Sequence, residues 1–240
     1  MCGRYERHSD KQRIADAFKV GKLPPGFELP PDYNVAPQTF QPVVRLNRET
    51  GERELTLMRW GLVPYWAKDS KVGFSSINAR AETVTTAPVF REAFKRRHCL
   101  VPADAFYEWQ KLDEKGKNKQ AFAIARKDRE PMAFAGLWEA WKDPNQSVPL
   151  ETFSIITTDP NELMQSIHTR MPVIVPKADW SRWLGPVDPA QPPTDILRPH
   201  PAEEMTAWKV KKDVGNVKNN DASLTEPCEP CADSTGSLFS

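Results

Sequence analysis

Twenty-three prolines are spread through 240 residues, and that density excludes long helices over most of the chain. Proline fixes φ and lacks an N–H, so it interrupts helix interiors and collects at turns, strand edges and first helical turns. Between the prolines lie short runs of two kinds. Alternating or continuous apolar runs predict strands at 42–46 and 55–60, paired as a hairpin about the turn 47–52, and at 99–102, 106–109, 120–125, 132–137, 153–157, 173–175 and 205–210. Residues 32–37 read as extended chain entering a loop. Helical spacing appears at 9–20, where Ser9 or Asp10 can cap and Ile14, Ala17 and Phe18 share a face. It recurs at 88–97, from Asp159-Pro160-Asn161 to about Ile167, and at 177–184. No βαβ rhythm and no internal repeat is present. These runs predict an α+β single domain with a mixed or antiparallel, barrel-like sheet and a few short helices. The domain is expected to occupy 1–220, with 221–240, which is polar and rich in Ser, Pro and Glu, as a disordered tail.

The formal net charge is +1, which argues against a whole-surface basic footprint but leaves room for a local basic groove. Arg91, Lys95, Arg96 and Arg97 form the densest basic cluster, either a solvated helix face or a phosphate contact. No apolar run is long enough for a membrane span, and MCGRYERHSDKQR lacks a signal core. The four cysteines do not make a disulfide framework in a chain this long. A cytoplasmic location is expected, nucleoid-associated in a bacterium.

The chemistry concentrates at Met1-Cys2-Gly3-Arg4. Loss of Met1 leaves Cys2 with a free amine and a thiol on adjacent carbons, with ordinary pKa values of about 7.7–8.0 and about 8.5. The positive charge of Arg4 is expected to favour the thiolate and the neutral amine. A 1,2-aminothiol condenses with an aldehyde to an imine and then closes a five-membered thiazolidine.

Six segments extend this start: Cys2-Gly3-Arg4-Tyr5, Tyr33-Asn34-Val35-Ala36-Pro37, Ile77-Asn78-Ala79-Arg80-Ala81-Glu82-Thr83, Phe106-Tyr107-Glu108-Trp109, Ile167-His168-Thr169-Arg170-Met171-Pro172, and Val214-Gly215-Asn216-Val217-Lys218-Asn219. In order and spacing, the chain resembles the SRAP (SOS response-associated peptidase) family of abasic-site processing proteins from residue 2 to about 220. The resemblance implies an SRAP-like single domain that binds single-stranded DNA and links Cys2 covalently to an abasic-site aldehyde in the DNA damage response. It implies catalytic roles for Cys2, Asn78, Glu108 and His168. It assigns DNA contacts to Arg4, Arg80 and Arg170, and a wedge against the bases to Pro37. It also implies peptidase-like removal of Met1 centred on Cys2 and Glu108, so hydrolase, protease and lyase activities come into view.

The residue types suit those roles. His168 can protonate the ring oxygen as the sugar opens. Glu108, among Phe106, Tyr107 and Trp109, can have a raised pKa and shuttle protons. Asn78 can hold the amine or the aldehyde oxygen, and the arginines can fork onto phosphates. Trp66 or Tyr65 can stack on a base. Closing the thiazolidine removes the imine, which would otherwise permit β-elimination and strand cleavage. Each residue alone also has an ordinary structural reading, such as a cap, a turn or a surface pair; it is the combination with an N-terminal cysteine that favours chemistry.

Two other functions fit parts of the pattern: an N-terminal-nucleophile amidohydrolase or glutamine amidotransferase using Cys2, and a non-catalytic single-stranded DNA binder. No cofactor is expected. Cys228-x-x-Cys231 lacks the second pair or His cluster a zinc site needs, so no metal is expected either. The protein is expected to be a monomer, and Gly236-Ser237-Leu238-Phe239 weakly resembles a sliding-clamp-binding peptide of the replication machinery.

Overall fold

The computed structural model describes residues 2–228, apart from 22, 24, 25, 144 and 145. The strands are β1 (Tyr5–Arg7), β2 (Asp32–Val35), β3 (Phe40–Leu46), β4 (Arg53–Trp60), β5 (Asn78–Arg80), β6 (His98–Ala103), β7 (Ala105–Lys111), β8 (Lys119–Arg126), β9 (Met132–Trp141), β10 (Leu150–Thr158), β11 (Met171–Pro172) and β12 (Met205–Val210). The helices are α1 (Lys11–Phe18), α2 (Arg91–Phe94), α3 (Glu162–Gln165) and α4 (Trp180–Leu184).

Two sheets share the core. One is antiparallel, in the order β12-β8-β7-β1-β2. In the other, β10, β4, β3, β6 and β9 pair in turn and β9 pairs back with β10, closing a barrel. Only β4 and the short β5 run parallel to β10, so the barrel is mixed. The α+β single-domain expectation therefore holds. Among the described residues no helix is long and apolar enough to cross a membrane.

The expected hairpin is β3–β4, running from Phe40↔Arg59 to Leu46↔Arg53. Its turn is made by Asn47, whose Oδ1 accepts the N–H groups of Glu49 and Thr50 at 2.9 and 3.2 Å, and by Gly51 at φ +72°. Asp104 separates β6 from β7 and sends the chain from barrel to sheet. Its N–H donates to the Glu6 carbonyl at 2.8 Å, and its carboxylate accepts from the Ser9 amide and hydroxyl at 2.7 and 2.5 Å. Ser9 is thus committed to Asp104, and the cap of α1 is Asp10, which accepts from the Arg13 amide at 2.8 Å.

Three expectations shift. The 88–97 helix shortens to α2, because residues 83–90 are consumed by consecutive turns closed by bonds such as Thr86 N–H to the Thr83 carbonyl. The 173–175 strand is reduced to an isolated bridge between Phe134 and Ile174, just after the two-residue β11 and flanked by Pro172 and Pro176, which have no N–H to donate. The packed body also runs past residue 220. Leu224 is 3% exposed beside Tyr107 and Val210, the Trp208 indole donates to the Thr225 carbonyl at 2.7 Å, and the Cys228 amide donates to the Lys209 carbonyl at 2.9 Å. Burying a leucine contributes about 1.5–3 kcal/mol, enough to hold this polar segment on the sheet. Cys231 and Gly236-Ser237-Leu238-Phe239 lie outside the described residues.

Candidate active site

Cys2 is completely buried where sheet and barrel meet, in a cluster with Tyr5, Trp60, Phe106, Phe134 and Phe153. It lies just ahead of β1, whose register sets Tyr5 opposite Phe106 and Val35. The Tyr107 amide donates to the Arg4 carbonyl at 3.0 Å, so the chain start is stitched to β7 before the first regular strand begins.

Asn78 opens β5 opposite Ile155 of β10. Its Nδ2 donates to the Cys2 carbonyl at 2.9 Å. Its Oδ1 is buried and has no hydrogen-bond partner among the described residues. A buried acceptor left unpaired costs free energy, and an amine at Cys2 is the kind of donor that would satisfy it.

Glu108 comes from β7 and is 2% exposed. Alternation along the strand puts its side chain on the face of Phe106, toward Cys2, while Tyr107 and Trp109 pack in a separate cluster on the other face. The aromatic environment is therefore the interior between the layers, not the flanking rings. Burial pushes the Glu108 carboxyl up to about 7. The neighbouring Glu108 charge adds to burial in pushing the Cys2 thiol far above its ordinary value.

His168 follows α3, which Asn161 caps by accepting from the Met164 amide at 3.0 Å. The Arg170 amide donates to His168 Nδ1 at 3.1 Å. The Arg170 carbonyl also stands 3.2 Å from Nδ1, so these two backbone groups set the orientation of the ring, and the tautomer follows from which of them Nδ1 serves. Nε2 stands 3.8 Å from Glu108 Oε2. Burial lowers the His168 pKa, so the ring is neutral rather than cationic at pH 7.

The expected DNA contacts divide into two groups. Arg80 and Trp66 are available: Arg80 is exposed with no ion pair among the described residues, and Trp66 is 50% exposed beside the equally open Tyr65. Pro37 is half-buried at the turn after β2. Arg4 and Arg170, by contrast, are engaged inside the protein. The Arg4 guanidinium donates to Asn34 Oδ1 at 2.8 Å and to the Val214 and Gly215 carbonyls at 2.9 and 3.4 Å. The Cys2 thiol feels Arg4 through its backbone N–H, which lowers the thiol pKa against the larger effect of burial, and not through the guanidinium charge expected from adjacency. Arg170 pairs with Glu82 at 2.6 Å and Asp159 at 3.0 Å and donates to the Thr157 carbonyl at 2.6 Å.

Sequence reading missed Asn34 as an organising residue. Its Nδ2 donates to the carbonyls of Val214, Asn216 and Asn219 at 3.2, 3.0 and 2.8 Å while its Oδ1 holds Arg4. The signal was a buried-strand pattern carrying one amide side chain, within the same short segment that ends at Pro37.

A family model described as SOS response associated peptidase (SRAP) matches residues 1–217. The abasic site processing protein YoaM of Bacillus subtilis is 42% identical over 227 residues, covering 94% of this chain and 98% of that one. The abasic site processing protein HMCES of Xenopus tropicalis is 33% identical over 217 residues, covering 79% of this chain and 64% of that protein. Among solved structures, a protein from Bacteroides thetaiotaomicron superimposes with a TM-score of 0.85 at 27% identity, over 95% of this chain and all of that one.

Proposed function

The chain belongs to the SOS response associated peptidase (SRAP) family, and from that premise we propose that it processes abasic sites in DNA by capturing the sugar aldehyde on Cys2. The observation that carries this reading is the convergence on one residue: Asn78 Nδ2 lies 2.9 Å from the Cys2 carbonyl, and buried Glu108, whose charge is felt at the Cys2 thiol, lies 3.8 Å from His168.

The steps follow from the groups. With Met1 removed, the Cys2 amine attacks C1 of the ring-opened sugar, and Glu108 carries a proton from the amine nitrogen to the aldehyde oxygen to give the carbinolamine. Glu108 then delivers a proton to the hydroxyl and takes the second nitrogen proton, so that water leaves and an imine remains. The thiol adds to the imine carbon; its proton goes to the imine nitrogen, and the thiazolidine closes with no net gain or loss of protons. A carboxyl titrating near 7 can give and take a proton at neutral pH. His168 Nε2, 3.8 Å away, is close enough to exchange a proton with that carboxyl through one water. The buried thiol stays protonated, which suits a nucleophile that acts second, after the amine. The amidohydrolase reading is the weaker one, because the relatives at 42% and 33% identity carry the name abasic site processing protein.

Exposed Arg80, Trp66 and Tyr65 supply a phosphate contact and stacking faces for a single strand. Arg4 and Arg170 then act by bracing the site, unless DNA displaces their internal partners. Removal of Met1 is proposed to use Cys2 and Glu108; intact-mass measurement of Glu108→Ala protein checks this, since complete loss of Met1 there would assign the cleavage to another enzyme.

The main test is incubation with single-stranded DNA carrying one abasic site. Wild type gives a heat-stable covalent adduct and Cys2→Ala gives none. Absence of adduct from wild type lacking Met1 overturns the reading.

A further inference from the structure

The β3–β4 turn and the C-terminal ends of α2 and α4 enclose a cavity of about 380 Å³. Its charged lining is Arg48, Lys95 and Arg96, with Asn47 beside them, the Trp138 indole as a wall, and no carboxylate. In a chain whose formal net charge is only +1, this is a marked local excess of positive charge. The neighbouring arginines differ in a telling way. Arg45 is paired with Glu54 and Glu151, each at 2.6 Å, and Arg97 with Glu139 at 3.0 Å. Lys95 is shared with Glu92 at 2.9 Å. Arg48 and Arg96 have no carboxylate within ion-pair distance among the described residues, and Arg48 donates to the Arg96 carbonyl, which aligns the two guanidinium-bearing segments. A second cavity of about 220 Å³ adjoins the first through Lys95 and Val187; Phe94, Pro189 and Pro192 are its apolar walls, and Thr85 and Arg91 complete it.

A basic chamber that opens beside one with Phe94 and two prolines in its walls matches a phosphate ester carrying a base better than it matches a bare anion. We propose that Arg48 and Arg96 form a phosphate-ester site remote from Cys2. The remoteness follows from the hairpin. Trp60, at the other end of β4, donates to the Ile77 carbonyl next to Asn78, whereas the cavity sits at the turn, a seven-residue strand away, or about 20 Å at strand rise. The ester belongs either to the backbone of the DNA held at Cys2, an arm that rests on the proposed function, or to a free nucleotide.

The test compares wild type with the surface double variant Arg48→Gln/Arg96→Gln. Adduct formation is first measured on a short abasic oligonucleotide of about five nucleotides, then binding to undamaged strands of increasing length, up to about twenty nucleotides. Losing two phosphate contacts lowers the slope of log K against log salt by about 1.4 and weakens binding about tenfold at moderate salt, for long strands only. In parallel, a deoxynucleoside monophosphate is titrated while the Trp138 indole resonance is followed. Length-dependent loss assigns the site to backbone phosphate; a nucleotide-induced shift that the double variant abolishes assigns it to a free ester. If neither appears while the short-oligonucleotide adduct forms normally in both proteins, the site is refuted and the proposed function stands. If no adduct forms in either protein, it is the proposed function that fails.

Discussion

Two histidines in this molecule are buried to different ends. His98 is sealed: its ring stacks on Trp183 at a centroid distance of 4.0 Å, and its two nitrogens face the carbonyls of Trp183 and Phe94 at 2.8 and 2.7 Å. Burial drives its pKa down to about 4, against the pull of those carbonyls. His168 is only half-buried. One of its nitrogens is fixed by the Arg170 amide, and the other is turned toward a carboxyl whose own pKa is pushed up. In the first case the environment makes a titratable group behave as a flat core residue. In the second, two titratable groups stand 3.8 Å apart beside the buried Cys2. Depth of burial therefore does not separate the two histidines; what does is a second group, titrating near neutrality, within reach of the ring.

The sharpest way to break this comparison is Glu108→Gln. The adduct rate is expected to fall by about 10²–10⁴-fold, the usual worth of a positioned acid–base group. The same variant should be the more stable protein. A carboxyl whose folded pKa is raised binds its proton more tightly folded than unfolded, so its stabilisation fades as pH rises through the interval from 4.5 to about 7. Glutamine removes that loss, and the gain over wild type in thermal unfolding should grow with pH across the interval. A variant that loses activity and stability together would place Glu108 in the framework instead.

His98 should show the opposite sign. Its folded pKa lies below the unfolded one, so the unfolded chain takes up more protons and stability falls as pH drops from 6.5 toward 4, by about 3 kcal/mol if the full shift is realised. His98→Phe keeps the stack, flattens that slope, costs about 1–3 kcal/mol for the carbonyls left unpaired, and leaves the adduct rate unchanged in folded protein. Unfolding curves between pH 4 and 7 check this, and an unaltered slope would acquit His98. A smaller effect is expected outside the core. Trp66→Ala should weaken binding of undamaged single strands by about 1–3 kcal/mol, with no change in melting temperature, as read by fluorescence anisotropy.

Much of the fold was legible because it is written locally. The β3–β4 hairpin follows from two alternating runs about an Asn- and Gly-bearing turn, and α1 from its face of apolar residues. The site was legible as a set of residue types around Cys2. What escaped was decided by partners far away in sequence. Nothing near Arg4 announces that its guanidinium will be held by residues 34, 214 and 215, and nothing near Arg170 names Glu82. Alternation along β7 could have placed Glu108 apart from Tyr107 and Trp109, but only once its two faces were known to look into different clusters. The segment 221–228 was too polar to read as packed, and its single buried Leu224 takes meaning only against Tyr107.

The Asn34 bridge has a consequence for biosynthesis. It ties Arg4, two positions beyond Cys2, to the carbonyls at 214–219. The brace therefore forms only once a segment 210 residues further along has been made. A chain cut short ahead of residue 214 leaves Arg4 and Asn34 without these carbonyls.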